Sequence, residues 1–162
     1  MASRIAGPGT HTTSQVLTAA HMNNLPGGWI GHAQITADSA TYTTTLVDIS
    51  GLSQAVTVNT TRRIRVSVSL TVESGEAGAI GDLFIREGST SLKKQRYQFA
   101  AGSGTCHVNF DTILTPSSGS HTYKVSAQRV TGTTTHKVTA STDAATAFGP
   151  ADLLIGDLGP AS

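Results

Sequence analysis

The sequence predicts an all-β protein, an antiparallel β-sandwich of jelly-roll type with eight or nine strands and an N-terminal extended arm carrying one short helix. Three observations predict it. From Arg62 to Ser74, Ile64, Val66, Val68, Leu70 and Val72 alternate with Arg63, Arg65, Ser67, Ser69, Thr71 and Glu73, a period of two that puts the branched aliphatic side chains on one face of a strand. Turn residues punctuate the chain at spacings of roughly ten to fifteen residues, with no helical pattern between them from Trp29 onward, as a sandwich or barrel requires. Finally, charged residues are only 13% of the chain while Ser and Thr fill about a quarter, a composition suited to the wet faces of sheets.

Residues 1–28 differ in kind. Gly7-Pro8-Gly9 and Pro26-Gly27-Gly28 bracket a segment whose one helical candidate is 17–24, capped by Thr18 and stopped by Pro26. So short a helix is marginal alone in water and needs a surface to lie on. Val16, Leu17, Ala20, Met22 and Leu25 supply the apolar contact, which makes 1–28 a docking arm and 29–162 the sandwich domain.

Strands then follow in order. Trp29 to Thr36 is the first and Thr41 to Ile49 the second, with Tyr42, Thr44 and Leu46 on one side. A turn over Ser50 to Gln54 leads to a short strand at Ala55 to Asn59 and then to the central strand, Arg62 to Ser74. The loop Ser74 to Ala79 gives way to Ile80 to Glu87, with Leu83 and Ile85 inward, and a tight reversal at Gly88 makes a hairpin with Thr90 to Ala100. Thr105 to Leu114 follows, its Cys106, Val108, Phe110 and Leu114 sharing one face. Pro116 to Gly119 is a strong turn, Ser120 to Val130 aligns Tyr123, Val125 and Ala127, Thr133 to Ala140 reads as a polar edge strand, and Ala151 to Leu158 closes the fold.

Chemical motifs are sparse. The single cysteine, Cys106, permits no disulfide within the chain and reads as a core thiol. Histidines 11, 21, 32, 107, 121 and 136 lack ligand spacing and read as surface imidazoles. Gly75, Gly78 and Gly81 lead into a strand, where a phosphate loop needs a helix. The carboxylates Glu73, Glu76, Asp82 and Glu87 fall in or beside loops and at outward positions, where solvation keeps them ionised and leaves no acid for glycoside hydrolysis. A net charge of +1 gives no long-range field for nucleic acid or membrane, and no segment has the length and apolarity of a signal peptide or membrane helix. Arg62, Arg63 and Arg65 and Lys93, Lys94 and Arg96 form two basic clusters that could make salt links across a subunit interface. The expectation is therefore a non-enzymatic chain with no metal, no cofactor and no specific nucleic acid.

Three stretches taken together carry a resemblance: Gln15-Val16-Leu17-Thr18-Ala19-Ala20-His21-Met22-Asn23-Asn24-Leu25-Pro26, Pro116-Ser117-Ser118-Gly119-Ser120-His121-Thr122-Tyr123-Lys124-Val125, and Leu153-Leu154-Ile155-Gly156-Asp157-Leu158-Gly159-Pro160. The combination resembles small exterior virion proteins of tailed bacteriophages, especially those infecting actinobacteria. The resemblance implies a homo-oligomer, often a trimer, made in the host cytoplasm and carried on the virion exterior as a capsid decoration (cement) protein or a minor tail protein. Its implied partners are its own copies and the major capsid protein or tail proteins. A tail position would suit a host-surface carbohydrate-binding role for the loops Ser74 to Ala79 and Ala100 to Thr105, although the low aromatic content argues against a strong sugar platform.

Overall fold

The computed structural model describes residues 27–59, 62–101, 104–142 and 148–161. The segment holding the expected helix and Val16, Leu17, Ala20, Met22 and Leu25 lies outside them. Nine strands are present among the described residues: β1 (Gly28–Ile35), β2 (Val47–Val58), β3 (Arg62–Ser74), β4 (Ile80–Glu87), β5 (Thr90–Gln98), β6 (Thr105–Leu114), β7 (Gly119–Arg129), β8 (His136–Thr139) and β9 (Ala151–Pro160). They form two antiparallel sheets, one ordered β1-β9-β3-β6 with β8 also on β3, the other ordered β2-β7-β4-β5. A five-stranded and a four-stranded sheet in these orders are the jelly roll, in which most successive strands cross between the sheets and the last returns beside the first.

Period-two patterning explains the core. Ile64, Val66, Val68, Leu70 and Val72 of β3 are all at most 2% exposed, with Leu153 and Ile155 of β9 buried beside them and Leu83, Ile85, Tyr123 and Val125 buried on the facing sheet. β3 is central in fact: β6 pairs along one side, while β9 covers Arg62 to Ser69 and β8 covers Thr71 to Ser74 on the other. β8 is therefore no polar edge strand. It continues the line of β9 along β3, and its outer side is covered by the backbone bonds of Ser39 to Val138 and of Tyr42 with His136.

A second correction concerns β2. The expected break at Ser50 to Gln54 is not a turn, and the two short strands expected around it are one strand beginning at Val47. Pairing with β7 shifts register between Asp48 and Ser53, and Gly51 adopts φ +87°. A glycine there lets the strand bulge without leaving the sheet. The bulge changes the phase of alternation, so that Ile49 and Leu52 both point inward before Val56 and Val58 resume the period. Upstream, Thr41 to Leu46 is not a strand; Tyr42 makes an isolated bridge to His136, and the Thr43 carbonyl accepts from the Arg129 N–H.

Candidate functional site

The two basic clusters are mostly neutralised within the chain. Arg62 pairs with Asp157 of β9, Arg65 with Asp111 of β6, and Lys94 and Arg96 both with Asp82 of β4, while Arg63 and Lys93 are exposed. Asp82 departs from its expected solvated position, its side chain being only 1% exposed. It sits on the outer face of β4, as the alternation requires, but the two long cations of β5 lie over it. Burial pushes its carboxyl up, and the bonds from Arg96 and Lys94 outweigh that, leaving a net lowering. It stays ionised, as expected, for a different reason.

His136 is the second residue whose expected surface position is corrected. It is fully buried beside Tyr42, Tyr97 and Phe99. Its Nδ1 lies 2.9 Å from the Tyr97 hydroxyl, which lies 2.8 Å from the Tyr42 hydroxyl. Burial raises both phenols far beyond ordinary titration, so this chain of polar atoms ties β5, β8 and the segment before β2 together rather than exchanging protons. Cys106 is half-buried, and burial raises its thiol. Glu76 anchors the loop after β3 by accepting from the backbone N–H groups of Thr133 and Thr134. Among the described residues no group of three His, Cys, Asp or Glu could hold a metal ion, and no helix is long and apolar enough to cross a membrane.

Two histidines titrate in opposite directions. Burial, helped by the Arg129 charge and opposed in part by Glu76, holds His136 below 6.5; the hydrogen bond that His121 donates to the Glu87 carboxylate holds His121 above it, against desolvation. The depressed His136 contributes stability that is present above about pH 6.5 and lost as pH falls through its folded value; the raised His121 contributes stability present below 6.5 and lost as pH rises through its own. Glu87→Gln removes the second effect. Its melting temperature should therefore fall more steeply than that of the parent chain between about pH 7 and pH 5; parallel curves would refute the Glu87–His121 pairing.

The outward face of the β1-β9-β3-β6 sheet holds a shallow concavity of about 200 Å³, lined in part by Arg65, Ser67, Ser69, Asn109, Asp111 and Leu154. Cross-strand register arranges the face in rows. Trp29, Gly156, Arg65 and Ile113 make one, and His32, Leu154, Ser67 and Asp111 the next. A bulge between Trp29 and Gly31 lets both Trp29 and His32 face outward while Gly31 turns toward β2. Trp29 is 65% exposed, with its ring over Gly156, where an added Cβ would lie 3.4 Å from two ring carbons. Sequence reading placed Trp29 in the first strand but gave it no role, because which residues flank it is decided by β9 and β3, far away in the chain.

No known family matches the sequence, and no curated protein matches it. Solved structures with a similar arrangement include Eiger TNF from S. frugiperda, at 10% identity and TM-score 0.45 over 83% of this chain and 96% of that one. Infectious bursal disease virus Gt strain gives 11% identity and TM-score 0.46 over 99% of this chain and 43% of that one. Infectious bursal disease virus Gx strain gives 14% and 0.42 over 83% and 37%. The chain spans less than half the length of the two virus chains, and these likenesses are of fold.

Proposed function

We propose that this chain is a non-enzymatic structural component of a tailed-phage virion, a homo-oligomeric exterior protein fixed by its N-terminal arm and acting as a capsid decoration protein. The observation that carries the reading is the division of labour along the chain. From β1 to β9 the described strands close a core of their own, and on this reading the apolar residues of 1–26 contact a neighbour. The sequence resemblance of the arm, of the turn into β7 and of β9 to small exterior virion proteins supports the virion setting. A segment that orders on its partner covers much surface with few residues, and repetition over a shell adds avidity. Cementing the shell in this way would add contacts between capsid subunits against the pressure of packaged DNA.

Deleting residues 1–26 should give a soluble protein with the strand content and cooperative melting of the full chain that no longer joins particles. Incorporation equal to that of the full chain would rule out the arm as anchor. Light scattering on the full chain should report an oligomer, and a strict monomer at high concentration would count against decoration.

A further inference from the structure

We infer that the outward face of the β1-β9-β3-β6 sheet is a binding site for a neutral hexose oligosaccharide, with Trp29 as its stacking platform and the Arg65–Asp111 pair as its polar clamp. The site lies on a sheet face, away from the loops, and does not depend on where a particle would carry the chain.

The chemistry of the face selects the ligand. A pyranose ring presents a patch of C–H groups on one side and hydroxyls, each both donor and acceptor, around its edge. It is met best by an exposed aromatic plane beside a mixed set of donors and acceptors. Trp29 supplies the plane: Gly156 lies beneath the ring, a bulkier residue there would lift it, and the ring remains 65% exposed. The next residue across the row from Gly156 is Arg65, whose Nε donates to Asp111 Oδ2 at 3.1 Å, with both side chains about half exposed. Such a pair offers planar donors next to a carboxylate that keeps acceptor capacity, a geometry that takes two adjacent hydroxyls. Ser67, Ser69 and Asn109 add short polar groups along the concavity. Across the sheet from β1 to β6 the row covers three strand spacings, roughly 14 Å, the reach of a short oligosaccharide.

Other occupants fit less well. A nucleic acid needs cations free to neutralise phosphates, and here Arg65 is matched by Asp111, and His32 lies 2.8 Å from Asp152. A second copy of the chain or another protein would have to bury the Arg65–Asp111 pair at the centre of the contact, where interface cores are depleted of charge and desolvation is costly. A sugar replaces the water on those groups with hydroxyls and leaves each hydrogen-bonded.

The test uses the full chain, whose single tryptophan makes its fluorescence a report from the site. It is titrated with linear hexasaccharides of α-linked glucose, β-linked glucose, β-linked mannose and β-linked N-acetylglucosamine. A saturable blue shift with at least one of them is expected. Calorimetry with that sugar should show Trp29→Ala and Asp111→Ala each weaker by about tenfold or more, equivalent to about 1.4 kcal/mol. Trp29→Phe should retain part of the affinity, and Val130→Ser, an exposed position off this face, should change nothing. Circular dichroism confirms that each variant is folded. No saturable response to any of the four sugars overturns the inference, as does unchanged affinity in Trp29→Ala. A Trp29 emission that moves with protein concentration and ignores sugar also overturns it, because a second copy would then own the face.

Discussion

Val68→Asp is expected to leave no folded protein. Val68 is 2% exposed in the middle of β3, with Phe110 of β6 and Leu153 of β9 as its direct partners in register. Loss of the buried valine costs about 1.5–3 kcal/mol, and an unpaired carboxylate in that setting adds several more. A domain stabilised by roughly 5–15 kcal/mol in total cannot absorb both. The sharp control is one residue away: Ser67 lies on the outward face opposite Asp111, so Ser67→Lys, which places a cation across from that carboxylate, should fold and melt close to the parent. Circular dichroism and proton NMR dispersion on the two variants test the register of the central strand directly. A native-like Val68→Asp would mean that β3 presents its other face to the core.

Gly81→Ala should be the most damaging small substitution outside the aliphatic core. Gly81 pairs with Tyr97 across the β4–β5 hairpin, and the tyrosine ring folds back over it so closely that an added Cβ would overlap the ring and hydroxyl. In an exposed hairpin the ring would swing away. Here it is held in the core by its bonds to Tyr42 and His136 and by edge contact with Phe99. Displacing it combines overpacking, about 1–3 kcal/mol, with buried polar groups left unpaired at about 1–3 kcal/mol each. A fall in melting temperature of roughly 10 °C follows for a chain of this size. Gly75→Ala, where the added atom meets open space, should change little. Equal melting of the two variants would show that Tyr97 can relax, and that the Tyr42–Tyr97–His136 chain contributes nothing measurable.

These two experiments separate what is local in this fold from what is not. β3, β4 and β6 were legible to the residue, because each is a run of alternation whose inward members are mostly branched or aromatic. β2 was not, because a bulge at Gly51 and a turn at Gly51 look the same in a string of residues. Only pairing with β7 shows that the chain runs straight on. His136 read as a surface imidazole for a related reason: Thr133 to Thr135 are polar, and nothing nearby in sequence announces that Tyr42 and Tyr97 converge on it. Asp82 was assigned correctly to an outward face, yet its burial depends on two side chains of the neighbouring strand.

The candidate sugar face is the clearest case of information that tertiary structure adds. Trp29, Arg65, Asp111 and Gly156 are spread over most of the chain and meet because β9 inserts between β1 and β3 while β6 closes the other side. By itself the sequence determined the all-β class and the identity of most inward residues, because side-chain alternation and turn chemistry act over two to four residues. Strand order, the line of β9 and β8 along β3, the buried polar chain and the neighbours of Trp29 were decided only in three dimensions. Alternation fixes which face a side chain takes, whereas hydrogen-bonded pairing between distant strands fixes what it faces.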